Sequence, residues 1–165
     1  MSLRTIFVGA AIALQILIAV AVPVRAALIA RQGTTVLLHV EPVDPYDPLR
    51  GYSLALAYDV GKLDGLSGAP DAGSVFVTLA PPAHPGGAWT AAAASATYPA
   101  ARPAGTVVIR GRINPIVHGA VRYGIESLYL DEAGRSAAAD RLKSHEALAD
   151  VRVAPDGQAV LAGIR

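Results

Sequence analysis

Thr5 through Val24 reads TIFVGAAIALQILIAVAVPV, 20 residues without a charge and with Gln15 as the only strongly polar side chain. As a helix rising ~1.5 Å per residue, it is about 30 Å long, the thickness of a bilayer's hydrocarbon core. A helix is the one single-segment structure that satisfies its own backbone in lipid. The stretch is apolar on every face, which argues against a core helix with one wet side. Pro23 and Arg25 mark its exit. A cleavable secretory signal is the competing reading, with Arg4 as a thin positive start and Val24-Arg25-Ala26 as the cleavage site. The run is longer than the usual ~7–15 residue core of such signals, and this favours an anchor. Arg4 flanks one end, Arg25 and Arg31 the other, so the charges do not choose an orientation. Export places the remainder outside the cytoplasm, the periplasmic side.

The segment divides the chain into an anchor, residues 1–30, and a domain, residues 31–165. The whole chain carries 14 basic and 13 acidic side chains. Without Arg4 and Arg25, residues 31–165 hold 12 basic against 13 acidic, a net of −1. A near-neutral domain excludes the basic footprint of a nucleic-acid binder. There is no Cys, hence no disulfide, no thiolate nucleophile and no Cys-based metal site.

Within the domain, TTVLLHVE from Thr34 predicts a strand. PVDPYDPLRG follows as a Pro- and Asp-rich turn. YSLALAYDV, from Tyr52, alternates with period two and puts Tyr52, Leu54, Leu56 and Tyr58 on one face. Residues 74–80, 106–113 and 121–130 read as three more strands. Trp89 sits on a short strand or packs a loop on the core. Residues 133–149, rich in Ala and Leu, predict a helix. Val151 to Val153, Pro155-Asp156-Gly157 and Gln158 to Leu161 predict a closing hairpin. The expectation is an α+β fold: a transmembrane helix, then a small, mostly antiparallel β domain, barrel- or sandwich-like, with one helix near the C-terminus.

PVDPYDPLRGYSLALAYDV resembles the signature of the GDYXXLXY family of bacterial proteins. Pro42, Asp44, Pro45, Asp47, Arg50, Gly51, Leu56 and Tyr58 match, whereas Tyr52 and Ser53 stand where the family has Asp and Tyr. The likeness continues at residues 75–79, at residues 108–112 with their Arg-Gly-Arg, at Tyr123-Gly124-Ile125-Glu126, at Glu132 and at Asp156-Gly157. The resemblance implies a membrane-anchored protein of uncharacterised function, associated in some members with integral membrane proteins.

Candidate chemistry is sparse. Asp44, Asp47 and Arg50 form either a polar binding site or, more simply, a turn that locks itself. Arg110 and Arg112 share a strand face, with Arg102 and Arg122 nearby. They suit an anionic ligand or lipid headgroup, or pair across the sheet with Asp59, Glu126 or the turn aspartates. His39 and Glu41 lack an evident third metal ligand, and His84, His118 and His145 are scattered. Lys62 or Lys143 with Ser53, Ser95 or Ser127 fits no recognisable serine–lysine motif. Gly86-Gly87 is no phosphate loop, and no cofactor is implied. Tyr52, Tyr58, Tyr98, Tyr123 and Trp89 suit a core more than a surface. The function this leaves is a non-enzymatic interaction or scaffold protein of the envelope, docking on an integral membrane partner. The alternatives are a module for a small anionic ligand and an envelope serine hydrolase.

Overall fold

The computed structural model describes residues 3–42, 53–63, 69–70, 72–114, 119–129 and 147–165. Helix α1, Leu3–Gln32, is 30 residues long, about 45 Å. Pro23 lies inside it and withholds one backbone N–H, which a membrane helix tolerates. Arg31 in its last turn complements the negative end of the helix dipole. Large apolar side chains such as Phe7, Ile12 and Leu17 are half or more exposed. The most apolar window of α1 contributes nothing to any core. Its length and composition suffice to cross a bilayer, and equally to serve as a signal sequence. Only the last turns dock: Ile29 is buried, Arg25 is ion-paired with Asp156, and α1 packs against the two C-terminal strands. Gly33 alone separates α1 from the first strand.

The strands are β1 Thr34–Pro42, β2 Ser53–Tyr58, β3 Ser74–Ala80, β4 Thr90–Ser95, β5 Val107–Ile113, β6 Val121–Arg122, β7 Ser127–Tyr129, β8 Leu148–Val153 and β9 Ala159–Ile164. A short 3-10 turn, Asp59–Gly61, follows β2. Two curled antiparallel sheets result, in the orders β7-β2-β1-β8-β9 and β4-β3-β5-β6. Alternation drives them together: Val36, Leu38 and Val40 of β1 face Val75, Val77 and Leu79 of β3 in one core of essentially unexposed aliphatics. Each such side chain contributes about 1.5–3 kcal/mol on burial.

The sheets are half-barrels, and among the described residues backbone hydrogen bonds join them at several places, the Lys62–Ala120 bridge included. Trp89 N–H donates to the Leu37 carbonyl (2.8 Å), on the stretch of β1 before its pairing with β2 begins at Val40. Trp89 thereby holds the approach to β4 on the core. Arg110 N–H donates to Gly157 O (2.7 Å), so the β8–β9 hairpin turn closes on β5. Leu56 N–H donates to Glu126 O (2.8 Å) at the corner where the chain leaves β6 for β7.

Two expectations are corrected. Residues 121–130 are not one strand. Gly124 takes φ +82°, a left-handed conformation open to glycine. The Glu126 carboxylate accepts the N–H groups of Tyr123 and Gly124. The chain therefore turns, and β6 and β7 fall in different sheets. The predicted helix 133–149 does not reach its end, because Leu148 and Ala149 are strand, paired with His39 and Leu38. The rest of that span lies outside the described residues. The α+β expectation stands: the described residues form one long apolar helix and a mostly β, antiparallel domain.

Candidate functional site

Strand β5 reads Val-Val-Ile-Arg-Gly-Arg-Ile, and its period of two sends Gly111 inward and Arg110 and Arg112 outward. Gly111 is required by packing: a Cβ there would lie 2.3 Å from Val121 Cγ1 and 2.9 Å from Tyr123 Cδ1. Absence of that side chain lets the Tyr123 corner sit against β5. The antiparallel register then sets Arg122 of β6 directly opposite Arg112. All three arginines are exposed, and Arg110 lies over the Phe76 ring, 6.0 Å from its centroid.

These arginines form one wall of an open cleft of about 1270 Å³. The opposite wall is the end of α1, with Val22, Arg25, Ala26 and Ile29; Gln158 and Val160 of the closing hairpin also contribute. The expected pairing of the arginines with Asp59 or Glu126 is not what forms. Asp59 is taken by His39 (2.6 Å) and Lys62 (2.9 Å). Glu126 is taken by the backbone of its own turn. Asp156 is taken by Arg25. Among the described residues no carboxylate lies within ion-pair distance of Arg110, Arg112 or Arg122. Arg102 is elsewhere, donating to the Tyr98 hydroxyl.

The motif residues that are described hold the fold together. The Tyr58 hydroxyl donates to Ile125 O (2.7 Å), and the Tyr123 hydroxyl donates to Val60 O (2.6 Å). Burial raises both hydroxyls above the ordinary tyrosine range, with the Glu126 charge adding to it. Leu56 is buried in the same core cluster. Asp44, Pro45, Asp47, Arg50, Gly51 and Glu132 lie outside the described residues, as do Tyr52, His118, Lys143 and His145.

His39, Glu41 and Asp59 gather their ligand atoms within 4.8 Å of one another. Asp59 is the third member that the sequence did not reveal. Extending the β1–β2 register, in which Val40 faces Tyr58, brings His39 opposite Asp59. The Lys62 ammonium stands where a cation would, 2.9 Å from Asp59 and 4.0 Å from Glu41. Desolvation pushes the Asp59 carboxyl up, but hydrogen bonds and charge from Lys62 and His39 outweigh it and hold it below its ordinary range. The Asp59 hydrogen bond and the two carboxylate charges hold Lys62 above its own.

No curated protein and no solved structure matches the chain. The sequence profile of the GDYXXLXY protein family matches residues 15–164, from the middle of α1 to the end of β9. That span includes the Tyr58–Tyr123 latch, the Arg-Gly-Arg strand and the closing hairpin, and the chain belongs to the GDYXXLXY family.

Proposed function

We propose that this chain is a retained single-pass membrane protein of the bacterial envelope, its β domain extracytoplasmic, and that it works by docking on an integral membrane partner rather than by catalysis. The observation that carries the reading is Gln15. It stands exposed midway along the charge-free stretch of α1. In lipid its amide donors and acceptor have no water. A neighbouring helix can meet them, at about 0.6–2 kcal/mol. Ala11 and Ala19 lie one turn to either side on the same face, small enough for a close approach. The join of α1 to β1 through Gly33 supports a domain held at fixed geometry to the membrane. Retention is supported by Val24-Arg25-Ala26, which lie within continuous helix, with Arg25 paired to Asp156; cleavage there requires that helix to unwind.

A photoreactive residue at Ala19 of the full chain, in native membranes, is expected to give a protein adduct of discrete size. Gln15→Leu is expected to abolish it, and the same probe at Leu17, on the far face, to give none. An adduct at twice the chain's mass makes the partner a second copy. Lipid adducts alone at both positions would sink the docking reading, and an intact mass lacking residues 1–24 would sink the anchor.

A second reading, a module for a small anionic ligand, is favoured by the arginine wall of the cleft. The serine–lysine hydrolase is disfavoured at Lys62. A general-base lysine needs a depressed pKa, whereas Asp59 and Glu41 hold this one protonated.

A further inference from the structure

We infer that the cleft between α1 and the β5–β6 wall binds the headgroup phosphate of an anionic phospholipid from the leaflet in which α1 ends. The inference rests on the membrane reading of α1 above. Three observations carry it.

The first is a charge arrangement that no carboxylate among the described residues answers. Arg112 and Arg122 face each other across an antiparallel pair, and Arg110 shares their wall. Directly opposed like charges destabilise a sheet. Of the described carboxylates, Glu126, which lines the cleft, is engaged by the Tyr123–Gly124 backbone, and Asp156, at the hairpin turn next to cleft-lining Gln158, is engaged by Arg25. A phosphate accepting from two guanidinium forks converts that repulsion into attraction.

The second is depth. Arg25 ends the charge-free run that matches the bilayer core, and Val22 and Ala26, within a turn of it, line the cleft. With residues 5–24 spanning the hydrocarbon, the arginine wall stands at headgroup level.

The third is the cleft's mixed character. One wall is cationic; the other is the end of α1, where Val22, Ala26 and Ile29 flank the Asp156-paired Arg25 and from which exposed apolar side chains continue along the helix. A phospholipid enters sideways, phosphate to the arginines and acyl chain along the Val22 side of α1. A soluble anion uses only the first wall.

The test uses the full chain in nanodiscs of phosphatidylcholine, with and without phosphatidylglycerol. Thermal unfolding is measured, together with the phosphatidylglycerol that co-purifies. The wild type is expected to melt higher with phosphatidylglycerol present. Arg122→Gln is expected to melt at or above the wild type in phosphatidylcholine alone, because the repulsive pair is gone, and to gain nothing from phosphatidylglycerol. The double variant R112Q/R122Q is expected to retain roughly tenfold less of that lipid. Arg102→Gln, outside the cleft, is expected to keep the full gain. A lower melting point for R122Q in phosphatidylcholine alone would mean that Arg122 has a partner inside the protein and would overturn the proposal. So would an equal gain in both proteins, which is general surface attraction. Inorganic phosphate reproducing the gain in phosphatidylcholine discs would assign the site to a soluble anion instead. Loss of the lipid effect with the Ala19 adduct intact overturns the cleft alone; loss of the adduct overturns the docking reading.

Discussion

Tyr58 and Tyr123 each place a hydroxyl on a carbonyl next to the other's strand end, across the corner between the two sheets. Burial keeps both hydroxyls protonated, so they are donors throughout the physiological range. Tyr58→Phe strands the Ile125 carbonyl and Tyr123→Phe the Val60 carbonyl. Each is expected to cost about 1–3 kcal/mol in thermal unfolding of the full chain in detergent. Because both hold one corner, the double variant is expected to cost less than the two single losses together. A change under ~0.5 kcal/mol in either single variant would show the latch to be incidental. Asp59 gives a pH signature. Its carboxyl lies below its ordinary range when folded, so its pairing stabilises above the unfolded pKa and is lost as pH falls through the folded one. Asp59→Asn is therefore expected to lower the melting point at neutral pH, with the gap to the wild type closing under acid conditions. Half-exposure of the pair keeps that gap small.

At the scale of elements, what could be read from the chain was what depends on neighbours in sequence. The alternation that set Leu56 and Tyr58 inward was visible because a period of two needs no partner to be recognised. So was the Asp-Gly turn between β8 and β9. What escaped depends on partners. Leu148 and Ala149 favour helix locally, yet β1 supplies a ladder for them, and pairing overrides propensity. Residues 121–130 alternate like one strand, but the Glu126 side chain competes for the backbone at Tyr123 and Gly124 and breaks it. The arginine wall was half legible. Arg110 and Arg112 share a face by spacing alone. That Arg122 joins them, and that α1 forms the opposite side, follows from register and from a contact spanning 131 residues between Arg25 and Asp156.

The molecule as a whole divides by burial at a different point from its composition. The apolar run ends at Val24, but the helix continues to Gln32, and its last turns belong to the β domain. The described side chains before Arg25 are exposed, and the exposed Arg25–Asp156 pair is worth at most about 1 kcal/mol. Ile29, by contrast, is 8% exposed, and its burial contributes about 1.5–3 kcal/mol. A chain of residues 25–165 is thus expected to fold as a water-soluble domain with the full chain's denaturation midpoint. A chain of residues 33–165 is expected to lose about 2–3 kcal/mol through the uncovered β8–β9 face. Urea denaturation of the two pieces separates these outcomes. Equal stability of both would mean that the last turns of α1 are a passive tether. The fixed angle between helix and domain, on which the proposed position of the cleft at the headgroups depends, would then have no energetic support.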